Sequence, residues 1–273
     1  MTSDRWPLAR LAVHGTMIVL AFVAIFPVYW MVVSSLKGDG DIYSSRLWPE
    51  HVTFEHYAYV LDAIPMLGIL WNTTLMASAT MLAQVLTGLL AAYALTRWRF
   101  RGSSLVHGLV ALSWLVPFQV TMIPNYVLAT RLGLLDSLAG LVVPNAAAAF
   151  AVLVLYNGMR GFPKEVVEAA RMDGAGHWRI LWQIVVPNLK APLAALAVLA
   201  FISAWNEYFW PLLLIRRMDN AVVQIGLQMF MTQEGNQWGA MMAAATLSSL
   251  PILAVYMLLH RHVIDSFMRA GLR

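Results

Sequence analysis

The sequence predicts an all-α fold of the polytopic membrane kind: six transmembrane helices with one cytoplasmic helical insertion. Three observations carry this. The 273 residues are 60% hydrophobic and only 12% charged, with a mean hydropathy of +0.67. The apolar residues gather in six blocks, each close to the roughly 20 helical residues that cross a ~30 Å hydrocarbon layer. None of the blocks alternates strictly between polar and apolar, so helices, which close their backbone hydrogen bonds internally, are expected rather than the strands of a barrel.

The first block, Leu11 to Ser34, follows Arg5 and Arg10 and invites a reading as a secretory leader. Its length exceeds the roughly 7–15 residues of a signal core, and Phe26-Pro27-Val28-Tyr29-Trp30 is too bulky for a small-residue cleavage site, so a retained helix is expected. Ser35 to Gly68 is too polar for lipid, with Asp39, Asp41, Glu50, Glu55 and Asp62 among Tyr43, Trp48, Tyr57 and Tyr59. Trp48-Pro49 predicts a turn at headgroup level, and Phe54 to Tyr59 a short amphipathic helix. A packed loop and a contact surface for an external partner both fit this segment.

The remaining spans are expected at Ile69 to Thr96, Ser104 to Pro124, Ser137 to Asn157, Pro192 to Ile215 and Gly239 to Leu259. Small residues four apart, Ala79 with Ala83, Gly88 with Ala92 and Ala240 with Ala244, predict close helix crossings. The 16 methionines are scattered and read as adaptable packing.

Orientation follows from the basic residues, which are retained on the cytoplasmic side. Arg5 and Arg10, Arg97 to Arg101, the residues from Arg160 to Lys190, and Arg261 to Arg273 hold 13 of the 18 Lys and Arg. Both termini and the 160–190 insertion are therefore expected in the cytoplasm. The net charge of +4 is this topology signal, and no nucleic-acid partner is expected. With no cysteine, the chain has neither disulfides nor thiolate metal sites.

The insertion is punctuated residue by residue. Gly161-Phe162-Pro163 ends the preceding helix, and Pro163 suits the start of a new one reaching Met172. Glu168 stands four residues from Lys164 and three from Arg171, close enough for weak surface pairs. Ala169 and Ala170 leave a low-relief surface, and Asp173-Gly174 supplies a left-handed stop. Trp178, Leu181, Trp182 and Val185 then recur at helical spacing, with Pro187 and Pro192 before the next span.

Inside the spans, Glu207 is the only acid, and a charge there must face a wet cavity or a hydrogen-bonding partner. With Trp205, Asn206 and Tyr208 it offers acceptors, donors and aromatic faces for a sugar or polyol; a polar clamp holding this helix to a partner subunit is the other reading. Asn72, Thr73, Gln84, Gln119, Asn125 and Asn145 are weaker candidates, most of them read as interhelical hydrogen-bond partners, with Gln119 and Asn145 kept for the path.

Enzyme chemistry finds little support. Gly38-Asp39-Gly40-Asp41 matches a Gly-x-Gly-Asp protease pattern but lies outside the spans with no second intrahelical aspartate. His260 and His262 do not share a helix face, so a metal site with Asp265 is not expected.

The insertion resembles the EAA loop of ABC-importer permeases. The residues that carry the likeness are Glu168-Ala169-Ala170, Gly174 six positions after the glutamate, Ile184 ten later and Val186-Pro187, with Asp173 and Pro192 in its fuller form. Arg46-Leu47-Trp48-Pro49, Gly133-Leu134-Leu135-Asp136-Ser137 and Trp205-Asn206-Glu207-Tyr208-Phe209-Trp210-Pro211-Leu212 look like stretches of the carbohydrate-uptake branch, including maltose- and glycerol-phosphate-type permeases. The basic, Gly-rich tail of that branch is only partly present in Ser266 to Arg273.

The resemblance implies a bacterial or archaeal cell-membrane permease that forms half of a translocation path for a sugar or polyol. The substrate alternative is sn-glycerol-3-phosphate or its diesters, and a non-transporting membrane scaffold is the functional alternative. The implied partners are a second homologous permease, two copies of an ATPase subunit, an extracytoplasmic solute-binding protein and lipid. The chain has no Gly-x-x-x-x-Gly-Lys-Ser/Thr sequence, so ATP and Mg belong to the separate ATPase, and no cofactor is expected on this chain. Glu168, Ala169, Ala170, Asp173, Gly174, Ile184 and Pro187 would form the coupling element.

Overall fold

The computed structural model describes the backbone of residues 7–98, 100–232 and 235–271, and the side chains of 11–98, 100–163, 165–231 and 237–258. The chain divides into two compact units: Met1–Met66 with Leu227–Leu250, and Leu67–Gly226 with Pro251–Arg273.

The first unit opens with α1 (Pro7–Ser35), whose Leu20, Phe22, Val23 and Ile25 face outward as a membrane-crossing helix requires. Pro27 lies within it without ending it. The following loop is pinned from inside by Lys37, which is fully buried. Its ammonium donates to the Ser44 carbonyl at 3.0 Å and lies 4.5 Å from the Trp30 ring centre. Such pairing is what permits a lysine to be buried. Tyr29 donates to the Leu47 carbonyl, and Ser35 and Tyr57 share a hydroxyl contact of 2.7 Å.

The expected short amphipathic helix is α2 (Glu55–Ala63), which buries His56 and Val60. Trp48 stands exposed in the turn before it. The strands β1 (Met231–Thr232) and β2 (Gly235–Asn236) pair antiparallel, Met231 opposite Asn236. They precede the last helix.

Among its described residues the regular elements of the second unit are helices. In chain order its helices are α3 (Met66–Arg97), α4 (Ser103–Trp114), α5 (Phe118–Arg131), α6 (Leu138–Val142), α7 (Ala149–Arg160), α8 (Lys164–Met172), α9 (His177–Ile180), α10 (Val186–Asn188), α11 (Lys190–Trp205), α12 (Phe209–Leu214) and α13 (Val223–Gln228). The last helix, α14 (Trp238–Gly271), outruns the expected Leu259 end, and residues from both units belong to it.

Among the described residues, three helices are individually long and apolar enough to cross a bilayer: Leu11–Ser35, Met66–Arg97 and Trp238–Leu258. Three more crossings arise if bent pairs count as one: α4 with α5 at 97°, Leu138–Asn145 with α7 at 45°, and His177–Asn188 with α11 at 81°.

Three expected continuous helices are therefore corrected. The span Ser104 to Pro124 breaks at Leu115–Pro117, where Pro117 has no N–H to continue the ladder, while Pro124 stays inside α5. The span Ser137 to Asn157 passes through a tight turn at Val143–Asn145 that contains Pro144, and resumes at Ala149. The span Pro192 to Ile215 ends one helix at Trp205 and starts another at Phe209.

One core joins the spans to the insertion. Leu89, Ala92 and Tyr93 of α3 and Ala151, Leu155 and Met159 of α7 pack with Val167, Ile180, Leu181, Val185 and Leu189. The expected small-residue crossing is real at Gly88: a Cβ there would lie 2.9 Å from the Ala151 Cβ. Only glycine lets α3 approach α7 so closely.

Candidate coupling element and intramembrane polar site

The helix expected to end at Met172 does so. α8 buries Val167 and half-buries Ala170 against the common core. Glu165, Val166, Glu168, Ala169, Arg171, Met172 and Asp173 remain exposed, Met172 at 88%. Ala170 thus faces inward, whereas Glu168 and Ala169 face out. No ion pair joins the exposed Glu168 and Arg171 among the described residues, and the Lys164 side chain lies outside them.

The stop after α8 is a Schellman motif. Gly174 takes φ +79°, its amide donates to the Arg171 carbonyl at 3.0 Å, and the Ala175 amide reaches the Ala170 carbonyl at 2.9 Å. Two carbonyls that would otherwise lack partners are thereby satisfied.

Beyond it, the amphipathic stretch is not one regular helix. α9 passes into a π turn at Leu181–Val185 before α10, with the half-buried Ile184 in that turn and the exposed Pro187 in α10. The wide turn puts Leu181 and Val185 on the core together, while Trp178 and Trp182 meet edge-on at 5.8 Å on the open side. Tyr93, at the end of α3, places its hydroxyl 3.2 Å from both Nδ1 and the carbonyl of His177. The insertion is thus fastened to a membrane-crossing helix by hydrogen bonds as well as by packing.

The second constellation surrounds Glu207. This residue lies in the break between α11 and α12, not in a helix interior as expected; its Oε1 accepts from the Trp210 amide at 3.2 Å and so caps α12. The indole of the fully buried Trp210 donates to the Gly140 carbonyl at 3.0 Å. Gly140 is obligatory there, since a Cβ would fall 2.2 Å from the Leu134 oxygen.

Glu207 and Asn145 both line a cavity of about 110 Å3, together with Thr80, Gln84 and Trp210. Gln84 donates to the Asn145 carbonyl at 2.9 Å, and Asn145 to the Leu141 carbonyl at 3.0 Å. The Thr80 hydroxyl is buried without a partner. At ~30 Å3 per water the space suits a few waters and is too small for a disaccharide.

The other path candidates lie elsewhere. Trp205 is buried against Phe201, Asn206 donates to Ile202 on an exposed face, and neither Tyr208 nor Gln119 lines this cavity. Asn72 and Thr73 act as the interhelical partners expected: Asn72 donates to the Asp219 and Ala221 carbonyls, and Thr73 accepts from the Val223 amide.

A third polar group centres on Asp136, a non-glycine residue at φ +51°. Its Oδ1 accepts from the Arg216 and Arg217 amides at 3.0 and 3.1 Å, its own amide donates to Leu214, and Asn220 donates to its carbonyl. The two backbone amides, chiefly that of Arg216, hold its carboxyl below the usual range. The Gly133 to Ser137 stretch is therefore a clasp on the segment after α12. Its partners lie some 80 residues away, beyond the reach of local pattern.

Comparison with known proteins rests on most of the chain. Residues 84–269 match the family model of the binding-protein-dependent transport system inner membrane component. The chain is 31% identical over 258 residues to the sn-glycerol-3-phosphate transport system permease protein UgpE of Yersinia enterocolitica, covering 91% of this chain and 92% of that one. It is 29% identical over 265 residues to the diacetylchitobiose uptake system permease protein NgcG of Streptomyces coelicolor, covering 95% and 88%. A bacterial ABC transporter involved in the import of the acidic polysaccharide alginate contains a chain that superposes with a TM-score of 0.81 at 25% identity, over 96% of this chain and 99% of its own. A short helix inserted between broken membrane-length spans and a match over two thirds of the sequence thus agree, and the chain belongs to the binding-protein-dependent ABC-importer permeases.

Proposed function

We propose that this permease forms half of the translocation path of an ATP-driven importer for a sugar or related polyol, and that it couples to a separate ATPase through α8. The observation that carries the coupling reading is the division of α8 into two faces. Val167 and Ala170 anchor it to the core that also holds α3 and α7, while Glu165, Glu168, Ala169 and Met172 stand free for a partner. A push on the outer face is then transmitted to membrane-crossing helices through close-packed side chains. Glu168 would meet a basic residue of the ATPase, which supplies ATP and Mg.

The cargo class rests on the relatives, named for glycerol phosphate, diacetylchitobiose and alginate, all polyols or polyol derivatives. A neutral sugar is favoured over a phosphate ester here because none of the six apolar spans contains a Lys or Arg that could meet an anion in the membrane path. Arg217 is already paired with Asp219 at 2.9 Å. The assembly we infer holds a second homologous permease, two ATPase copies and an extracytoplasmic binding protein, with both termini of this chain in the cytoplasm of a bacterial or archaeal cell.

The test is ATP hydrolysis by the co-purified complex in membrane discs, wild type against Glu168→Ala with Gly174→Pro, with and without binding protein and sugar. Loss of stimulated hydrolysis in a folded complex supports coupling through α8. Unchanged stimulation removes α8 from the transmission path, and failure to recover any ATPase supports the scaffold alternative.

A further inference from the structure

The first unit contains a cavity of about 560 Å3 that the coupling and path readings leave unused. It lies among Asp39, Tyr43, Glu55, His56, Tyr59 and Trp238, on the side that the Lys and Arg distribution assigns to the outside. Its size falls within the roughly 300–1,000 Å3 of small-molecule sites.

His56 forms part of the wall of this cavity. It is only 7% exposed, and its Nε2 is buried with no hydrogen-bond partner. The nearest carboxylate oxygen, Asp39 Oδ1, stands 3.8 Å away, beyond hydrogen-bonding reach. Gly239 makes the placement possible, since a Cβ there would lie 2.0 Å from Nε2. Shut in against that backbone, Nε2 is not open to a ligand, so the polar contacts of the cavity fall to the Asp39 and Glu55 carboxylates and the Tyr43 and Tyr59 hydroxyls.

The rest of the lining narrows the ligand. Tyr43 and Tyr59 expose 77% and 47% of their surface, and Trp238 37%, offering flat apolar faces for the C–H side of a sugar ring. The carboxylates of Asp39 and Glu55 accept from hydroxyls, whereas no Lys or Arg lines the cavity, so an anion is repelled. No group of three metal ligands occurs among the described residues. No two of the three rings touch one another among the described residues, so each presents a separate face to a ligand.

We propose that this cavity binds a neutral carbohydrate, holding cargo at the outer face of the permease before it enters the membrane path. The proposal rests on the sugar-import reading above. Its test is equilibrium binding of radiolabelled lactose and diacetylchitobiose to the nucleotide-free permease–ATPase complex in membrane discs without binding protein. Wild type is compared with Tyr43→Ala and Glu55→Gln, both at exposed positions that leave the core intact.

Saturable binding of at least one of these sugars, weakened about tenfold or more by both variants and not displaced by choline or sn-glycerol-3-phosphate, is the expected result. No saturable binding, binding untouched by the variants, or displacement by either charged competitor would overturn the assignment. Sugar-stimulated ATP hydrolysis with binding protein, measured on the same preparations, separates the two readings. If it persists while the cavity fails its test, only the cavity assignment falls. If no neutral sugar stimulates hydrolysis, the import reading falls with it.

Discussion

The Ala175 amide donates to the Ala170 carbonyl at 2.9 Å, across a glycine whose φ is +79°. This bond closes the end of α8 and fixes where the exposed face of the helix stops. A Cβ on Gly174 would meet nothing within 4 Å, so only backbone conformation opposes a side chain there. Gly174→Ala should cost about 1–2 kcal/mol in this closure, and Gly174→Asn less, because asparagine tolerates the left-handed region. Hydrogen exchange at the amides of 173–175 should rise about tenfold or more in the alanine variant, the equivalent of ~1.4 kcal/mol. Stimulated ATP hydrolysis should fall while basal hydrolysis holds; unchanged exchange would remove the motif from the explanation.

This end of the helix was legible in the sequence because polar punctuation in an apolar chain is informative. Pro163 and Asp173-Gly174 bracket α8 at the expected positions. The breaks at 115–117, 146–148 and 206–208 were hidden for the opposite reason. Within the bilayer every side of a helix is apolar, so periodicity carries little information about where a helix ends. Pro117 and the Glu207-x-x-Trp210 spacing were the available signals, a proline after an apolar run and an acid three residues before the amide it caps. The contacts of Trp210 with Gly140, of Gln84 with Asn145 and of Asp136 with Arg216 join residues about 60 to 80 apart. No local pattern encodes such pairings. His56 was hidden too, because its burial depends on a bare backbone at Gly239.

Gly88 and Gly108 offer a paired test of the α3 and α7 crossing. A methyl on Gly88 would press on both the Ala151 side chain and its carbonyl carbon, at 2.9 and 3.1 Å. Backbone cannot yield as a side chain does, so Gly88→Ala should destabilise by about 1–3 kcal/mol. Gly108, also helical, has open space around its Cβ position, and its alanine variant should be neutral or slightly stabilising. Thermal unfolding of the purified complexes compares them directly; equal midpoints for the two variants would contradict the close crossing.

Asp136 makes the clasp after α12 sensitive to acid. Its carboxyl is held below its unfolded value by the Arg216 and Arg217 amides, so its contribution is fully present above the unfolded pKa of about 3.9. That contribution is lost as pH falls through the lowered folded value. Asp136→Asn keeps an acceptor and tolerates φ +51°, but it no longer titrates. Melting temperature against pH should therefore decline less steeply below pH ~4 in the asparagine variant than in wild type. Asp136→Val, which loses the acceptor and resists the left-handed backbone, should melt lowest at pH 7. Parallel acid profiles for wild type and Asp136→Asn would show that other carboxylates govern the decline.

Glu207 and Trp210 separate architecture from transport. Glu207→Gln retains an oxygen that accepts from the Trp210 amide, so α12 should start where it does and the complex should assemble normally. Trp210→Phe removes the indole donor to the Gly140 carbonyl and leaves that acceptor buried, a loss of about 1–3 kcal/mol. It should lower stability, and transport only in proportion to the complex that survives. If the carboxylate charge contributes to the cargo path, Glu207→Gln should slow uptake per assembled complex several-fold with no change in melting temperature. Uptake at the wild-type rate and affinity would instead make Glu207 a cap on α12, with its charge serving only to strengthen that bond across the helix break.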